Sequence, residues 1–267
     1  MISFPNAKIN LGLSVINKRA DGMHDIETCY VPVPMFDILE ILPSKSFDVT
    51  YYGLSIPGKS NDNLMVKAWN LLSEKRELAP VKVSLYKNIP IDSGLGGGSS
   101  NAAFFLKEVN NLQSLELSTA ELLNMSSKIG ADCSFFINNK ITFAEGIGNV
   151  FSPIENMVQG MFISMVFPDI PISSKEAYSK IERFGNSDLI EVLGGKKSNW
   201  RSYLKNDFEN LIFRKFPEIE KIKHAFYDLG ATYSSLTGSG SAVYAISEKL
   251  IDMKRFKDKY RVWKGII

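Results

Sequence analysis

A chain of 267 residues is long for one core and suits two modest domains or one large one. Hydrophobic residues make up 45% and charged ones 22%, and 31 basic against 29 acidic side chains leave a formal net charge of +2. This is an ordinary globular composition without the basic footprint that nucleic acid or an anionic membrane would need, so any bound anion must be captured locally.

Cys29 and Cys133 are too few for a disulfide framework and fit a reducing cytoplasm. With only His24 and His224 beside them, no Cys/His metal spacing exists. The start "MISFPNAKINLGL" lacks a basic segment followed by an apolar one, so no signal peptide is expected. The most apolar window, Met161 to Phe167, is too short to span a bilayer.

Along the chain, Ile9, Leu11 and Leu13 alternate with Asn10, Gly12 and Ser14, which predicts a half-buried strand. Arg19 to Asp25 contains Asp-Gly and reads as a turn. Thr28 to Pro43 is strand-rich, with prolines suited to edges or ends, and "FDVTYYG" is a further strand before a polar loop. "DNLMVKAWNLLSEKREL" changes period: Leu64, Ala68, Leu71 and Leu72 share a helical face that Asp62 or Asn63 can cap. "VKVSLYKNIP" returns to period two, with Val81, Val83 and Leu85 on one side. A glycine loop follows, then a helix from about Ser100 to Leu112.

A capping box, Ser118 with Glu121, opens the next helix, and Gly130 is placed to end it. "KITFAEGIGNVF" reads as strand, glycine turn, strand. Met161 to Phe167 is a strand, and Ser173 with Glu176 a second capping box. "PEIEKIKHAFYDLG" is a helix between Pro217 and Gly230. "SSLTGSGSAVYAIS" is a glycine turn running into a strand, and "YRVWKGII" a final strand. The mixture lacks regular strand-helix alternation, which favours α+β over a doubly wound parallel sheet.

The stretch Ser93 to Ser100 carries four glycines and three serines directly before a helix. Bare backbone N–H groups in such a turn, with the unpaired N–H groups and partial positive charge of a helix start, suit a polyphosphate. Ser99 and Ser100 can cap the helix or bind phosphate and metal. A Walker A loop would need Gly-Lys-Ser/Thr, but Ser99 follows Gly98 and the loop has no lysine. A dinucleotide fingerprint fails at its third glycine, where Ser99 stands.

"PIDSGLGGGSSNAA" resembles the phosphate loop of the GHMP kinases. "FPNAKINLGLSVINKRADGMHDIET", "NDNLMVKA", "IGADCSFFINNKITFAEGIG", "NDFE" and "LTGSGSAVYA" resemble the branch that phosphorylates a diphosphocytidyl methylerythritol in non-mevalonate isoprenoid synthesis. The resemblance runs in order from Pro5 to Tyr244. It implies an α+β GHMP kinase fold: an N-terminal ATP-binding domain of the ribosomal protein S5 domain 2-like type over 1–155, and a ferredoxin-like C-terminal domain over 156–267. It implies transfer of the γ-phosphate of ATP, with Mg²⁺, to the 2-hydroxyl of a cytidine diphosphate derivative by a cytoplasmic monomer or homodimer. The chain's own alternatives are another small-alcohol GHMP kinase or an inactive nucleotide-binding regulator.

By this resemblance Pro90, Ile91, Asp92, Ser93, Gly94, Leu95, Gly96, Gly97, Gly98, Ser99 and Ser100 hold ATP, with Asn63 near the adenine. Asp92 and Ser93 stand where such loops often have glycine, and the bland role of Asn63 is a helix cap. Asp132 falls on the catalytic aspartate and Lys8 on its paired lysine. A carboxylate at a loop-helix junction can take a proton from an alcohol attacking phosphorus, and an ammonium can hold that hydroxyl. Their bland counterparts are a helix cap and a solvated lysine. Asn10, His24, Ser174 and Tyr178 fall on substrate-binding positions, His24 offering a base its edge partner and Tyr178 a ring face. Met23 replaces a usual aromatic residue. Gly238, Ser239 and Gly240 resemble a third motif that supports the phosphate loop.

Overall fold

A computed structural model describes residues 1–56, 63–181, 184 and 188–267. In chain order the strands are β1 (Ile2–Ser3), β2 (Asn6–Lys18), β3 (His24–Phe36), β4 (Ile38–Pro43), β5 (Asp48–Gly53), β6 (Val81–Lys87), β7 (Thr142–Glu145), β8 (Val150–Pro153), β9 (Phe162–Phe167), β10 (Tyr233–Leu236), β11 (Val243–Ser247) and β12 (Arg261–Ile266). The helices are α1 (Leu64–Ser73), α2 (Gly97–Leu112), α3 (Thr119–Ile129), α4 (Cys133–Asn138), α5 (Ser174–Ser179), α6 (Leu189–Gly194), α7 (Trp200–Tyr203), α8 (Glu209–Lys215), α9 (Pro217–Asp228) and α10 (Lys254–Lys257). The chain forms two compact units that no single cut separates. One comprises Met1–Ala7, Met35–Ile91 and Gly96–Lys140, the other Lys8–Pro34, Asp92–Leu95 and Ile141–Ile267.

The first unit holds a sheet ordered β1-β4-β6-β5, in which only the β5–β6 pair is parallel. β6 buries Val81, Val83 and Leu85 and turns Lys82 and Tyr86 outward, as its period of two predicts. Each buried aliphatic side chain contributes about 1.5–3 kcal/mol, more than the roughly 1 kcal/mol span of strand propensity. A one-residue slip would expose all three, so burial fixes the register against Leu39 and Ile41 of β4. α1 buries Met65, Ala68 and Leu72; Leu64 and Leu71, expected on that face, are only half-buried. Asn63 caps the helix by accepting from the Met65 N–H at 2.9 Å, and Asp62 lies outside the described residues. α3 carries its full capping box, Ser118 with Glu121, and ends at Gly130.

α2 begins at Gly97, three residues before the expected start. The glycines are poor helix formers, but a Cβ at Gly97 would lie 2.8 Å from the Lys87 ammonium and 3.0 Å from Ile89. Close approach there requires glycine, so tertiary packing overrides propensity. Gly96 precedes the helix at φ 69° and no side chain caps it. Ser99 and Ser100 therefore lie within the first turn and are not its caps.

In the second unit a sheet is ordered β2-β3-β7-β8. β2 and β3 are longer than the sequence pattern suggested and are joined across the predicted Asp-Gly turn, where the Arg19 N–H donates to the Met23 carbonyl at 2.8 Å. β7 pairs with β3 over Thr28 to Tyr30, so Pro32 and Pro34 lie beyond that ladder. The remaining sheet, β10-β11-β9-β12, has antiparallel neighbours throughout. With helices between β9 and β10 and between β11 and β12, this is a ferredoxin-like plait. Its core gathers Val166, Leu236, Val243 and Ala245 against Ile219, Ile222 and Phe226 of α9. The Ser173 hydroxyl accepts from the Glu176 N–H at 3.4 Å, but the second capping box is only half formed. The Glu176 carboxylate instead accepts from Lys180 at 2.6 Å and Lys215 at 3.0 Å, which hold it down at about 2.

Candidate active site

The glycine loop is held by hydrogen bonds to the carbonyls of Ser93, Gly94 and Leu95. In the second unit, the Thr237 hydroxyl donates to the Gly94 carbonyl at 3.2 Å and the Ala242 N–H to the Ser93 carbonyl at 3.3 Å. The Lys8 N–H donates to the Leu95 carbonyl at 3.0 Å. Gly94 (φ 80°) and Gly96 (φ 69°) adopt left-handed backbone that favours glycine, and exposed Asp92 adopts it too at φ 51°. In the first unit a Cβ on Gly98 would meet nothing closer than Leu64 at 3.9 Å. The Ser100 hydroxyl is buried without a hydrogen-bond partner. Open space over glycine backbone, a helix start and an orphaned hydroxyl fit a polyphosphate chain.

Asp132 stands at the head of α4, in the first unit with Ser99 and Asn63. A Cβ on Gly130, two residues earlier, would lie 3.9 Å from the Ser99 hydroxyl and 3.8 Å from Leu64. The segment leading to Asp132 thus lies against the starts of α2 and α1. The Asp132 side chain makes no cap bond to α4, so the bland capping role is not what it performs. Its neighbour Cys133 is buried and its thiol is pushed up to about 12 by loss of solvent, which removes it as a nucleophile.

The second unit gathers Lys8, Asn10, His24, Ser174, Tyr178 and the turn Gly238–Gly240. Lys8 is buried rather than solvated. Its ammonium donates to Asn10 Oδ1 at 2.7 Å and lies 5.1 Å from the centroid of Tyr30. Asn10 Nδ2 donates to the Thr28 hydroxyl at 2.9 Å, and the Asn10 N–H to the Thr237 hydroxyl at 3.3 Å. Both ends of the Asn10 side-chain amide are thereby engaged, and one chain of bonds joins Lys8 to the glycine loop through Thr237. Asn206 donates to the carbonyls of Leu236 at 3.1 Å and Gly238 at 2.9 Å, fixing the second glycine turn. Ser239 shares a 2.9 Å hydrogen bond with Ser174.

His24 is stacked on Tyr178 with ring centroids 5.1 Å apart and on Phe184 at 6.0 Å. Tyr178 meets Phe208 edge-on at 4.8 Å. Burial, and secondarily the positive charge of Lys18, hold the imidazole below its ordinary value. A neutral ring keeps one donor and one acceptor, the combination a nucleobase edge can use. Met23 beside it is exposed.

Sequence profiles of GHMP kinases match twice, the N terminal domain over residues 63–140 and the C terminal over residues 180–262. The chain belongs to the GHMP kinases. This GHMP kinase is 46% identical over 253 residues to the 4-diphosphocytidyl-2-C-methyl-D-erythritol kinase of Bacteroides thetaiotaomicron, covering 93% of this chain and 92% of the relative. It is 44% identical over 261 residues to the protein of that name from Bacteroides fragilis, covering 95% of each. A crystal structure of 4-(cytidine 5'-diphospho)-2C-methyl-D-erythritol kinase superimposes with a TM-score of 0.82 at 28% identity, covering 99% of this chain and 98% of that one.

Two residues that touch the candidate site of this GHMP kinase escaped the sequence reading. Phe184 stands alone in a polar stretch, without periodicity to mark it. Thr237 carries no motif of its own. Among the described residues no helix is long and apolar enough to cross a membrane, and no cluster of three His, Cys, Asp or Glu could hold a metal ion.

Proposed function

We propose that this chain transfers the γ-phosphate of ATP to the 2-hydroxyl of 4-diphosphocytidyl-2-C-methyl-D-erythritol, in non-mevalonate isoprenoid precursor synthesis. One observation carries the reading: a chain 46% identical to a kinase of that name also places the His24–Tyr178 ring pair in one unit with Lys8 and the second glycine turn. The two family profiles fall within 1–155 and 156–267, the proposed N-terminal and C-terminal domains.

In this reading the loop Pro90 to Ser100 holds the phosphates of ATP, and Asn63 borders the adenine. The substrate oxygen attacks the γ-phosphorus as the bond to the β-bridging oxygen breaks, and ADP leaves. Asp132 takes the hydroxyl proton. Lys8, oriented by Asn10, holds the hydroxyl by its ammonium. Such transfers have a loose transition state, so positioning and charge stabilisation supply most of the rate. Mg²⁺ accompanying ATP would supply charge neutralisation on the phosphate oxygens; among the described residues no cluster of three His, Cys, Asp or Glu forms a cage for it. His24 meets the cytosine edge, Tyr178 lends its ring face, and Ser174 fixes the nucleotide. A cytoplasmic setting suits the two buried free thiols, Cys29 and Cys133.

The test is ADP release from Mg-ATP with a panel of alcohols: the cytidine diphosphate substrate, its uridine analogue, mevalonate and homoserine. Turnover confined to the cytidine compound is expected. Preference for mevalonate or homoserine would make this another small-alcohol kinase, and no release with any alcohol a nucleotide-binding regulator.

A further inference from the structure

The phosphate loop is tied at its two flanks to one buried carboxylate. Asp37, between β3 and β4, has no exposed surface. Its Oδ1 accepts from the N–H of Asn88 at 2.7 Å and of Ile89 at 2.8 Å, the two residues that lead into the loop. Its Oδ2 accepts from Asn101 Nδ2 at 2.8 Å, early in the helix that leaves the loop, and from the Lys87 ammonium. Its own N–H donates to the Pro5 carbonyl at 2.9 Å. A second observation aims this cluster at the glycines: a Cβ on Gly97 would lie 2.8 Å from the Lys87 ammonium. The charge pair therefore lies directly against the first residue of α2.

We propose that Asp37 is a positioning residue for nucleotide binding, holding the leading strand end and the trailing helix of the phosphate loop in fixed register through Asn88, Ile89 and Asn101. A structural ion pair needs one partner, whereas this carboxylate takes four donors from both flanks of one loop. The N–H groups of Asn88 and Ile89 point to Asp37 rather than to a ligand, so the phosphate cradle starts after Ile89. Flanks fixed before the nucleotide arrives spare the loop an ordering cost on binding. An unpaired carboxylate beside phosphates would repel them, but Lys87 neutralises this one. The inference rests on the phosphate-loop reading, and its test separates the two.

Three variants are compared with the parent by melting temperature, calorimetric titration with a non-hydrolysable ATP analogue, and steady-state kinetics. Asn101→Leu removes the tie to the helix and leaves the Lys87–Asp37 pair intact. Asp37→Asn keeps the size but loses the charge. Gly98→Ala tests the cradle itself. Both Asn101→Leu and Asp37→Asn should weaken nucleotide binding about tenfold or more, since small misplacements of a binding frame are costly. The KM for ATP should rise in step, with the KM for the alcohol unchanged. Asp37→Asn leaves a buried ammonium unpaired and can fail to fold; Asn101→Leu then decides alone. Parent-like nucleotide affinity in Asn101→Leu, with affinity lost in Gly98→Ala, overturns the inference and leaves the loop reading standing. Equal rises in both KM values overturn it as well. Unchanged affinity in Gly98→Ala overturns the loop reading and this inference with it.

Discussion

The Thr237 hydroxyl donates to the carbonyl of Gly94 at 3.2 Å, and a Cβ on Gly94 would collide with the carbonyl oxygen of Thr237. Two glycine turns 143 residues apart in the chain thus meet backbone to backbone. Gly94→Ala should destabilise the protein by about 2–4 kcal/mol, the sum of a positive-φ cost and a backbone overlap with no flexible end to yield. Thermal or urea unfolding measures it; an unchanged midpoint would mean that the two turns do not pack this closely.

Gly98→Ala should do the opposite. The added carbon has room, with Leu64 at 3.9 Å, and the backbone there is already helical, so stability should hold or rise slightly. Nucleotide affinity should fall, because the methyl occupies space over the loop that phosphate oxygens need. Calorimetric titration of both variants separates a glycine kept for packing from one kept for a ligand.

Asp132→Asn should keep the fold and nucleotide binding and lose about 10²–10⁴ in turnover, the usual contribution of a positioned proton acceptor. The substitution is nearly isosteric, and no cap bond to α4 depends on the carboxylate. A parent-like kcat would remove Asp132 from the chemistry.

Periodicity made most elements legible. Val81, Val83 and Leu85 alternate into a buried face, and Pro217 and Gly230 bracket a helix as expected. What escaped depends on contacts distant in sequence. The early start of α2 is imposed by Lys87 and Ile89 against Gly97, which no local propensity encodes. Lys8 reads from composition as a surface lysine but is buried, because Asn10 and Tyr30 receive its ammonium. The glycine loop could be read as a candidate phosphate cradle because the chemistry of bare backbone before a helix is local. Phe184 beside His24 was not, since only the fold brings them together. Paired Ser and Glu three positions apart announced two capping boxes, yet Lys180 and Lys215 draw Glu176 away from the second.

That contrast is measurable. Ser118→Ala breaks a reciprocal pair, with Glu121 accepting from the Ser118 N–H at 2.9 Å and Ser118 from the Glu121 N–H at 3.3 Å. It should cost about 1 kcal/mol, while Ser173→Ala, losing one long bond, should cost less. Equal losses in urea unfolding would contradict the half-formed second box.

The last prediction joins pH to substrate recognition. Burial first, and the Lys18 charge second, lower the pKa of His24, so the ring stays neutral at pH 7. A depressed pKa means that the unfolded chain binds this proton more readily than the folded one. The contribution of His24 to stability is therefore complete above the ordinary value of about 6.5 and is lost as pH falls through its lower folded value. Substrate binding should follow the same direction, because a protonated imidazole has two donors and no acceptor for a base edge. The KM for the cytidine substrate should rise as pH falls through that lowered folded value, with the KM for ATP less affected. His24→Gln, which never titrates in this range, should flatten that profile and blur discrimination between the cytidine substrate and its uridine analogue. Tyr178→Ala should raise the substrate KM about tenfold at every pH, since base–aromatic stacking is worth about 1–3 kcal/mol. Met23→Tyr should tighten binding if an aromatic face there only adds stacking. Steady-state kinetics of the three variants from pH 5 to pH 8 decide the matter. Parallel changes in the ATP and cytidine KM values would show that these rings hold the fold and not the base.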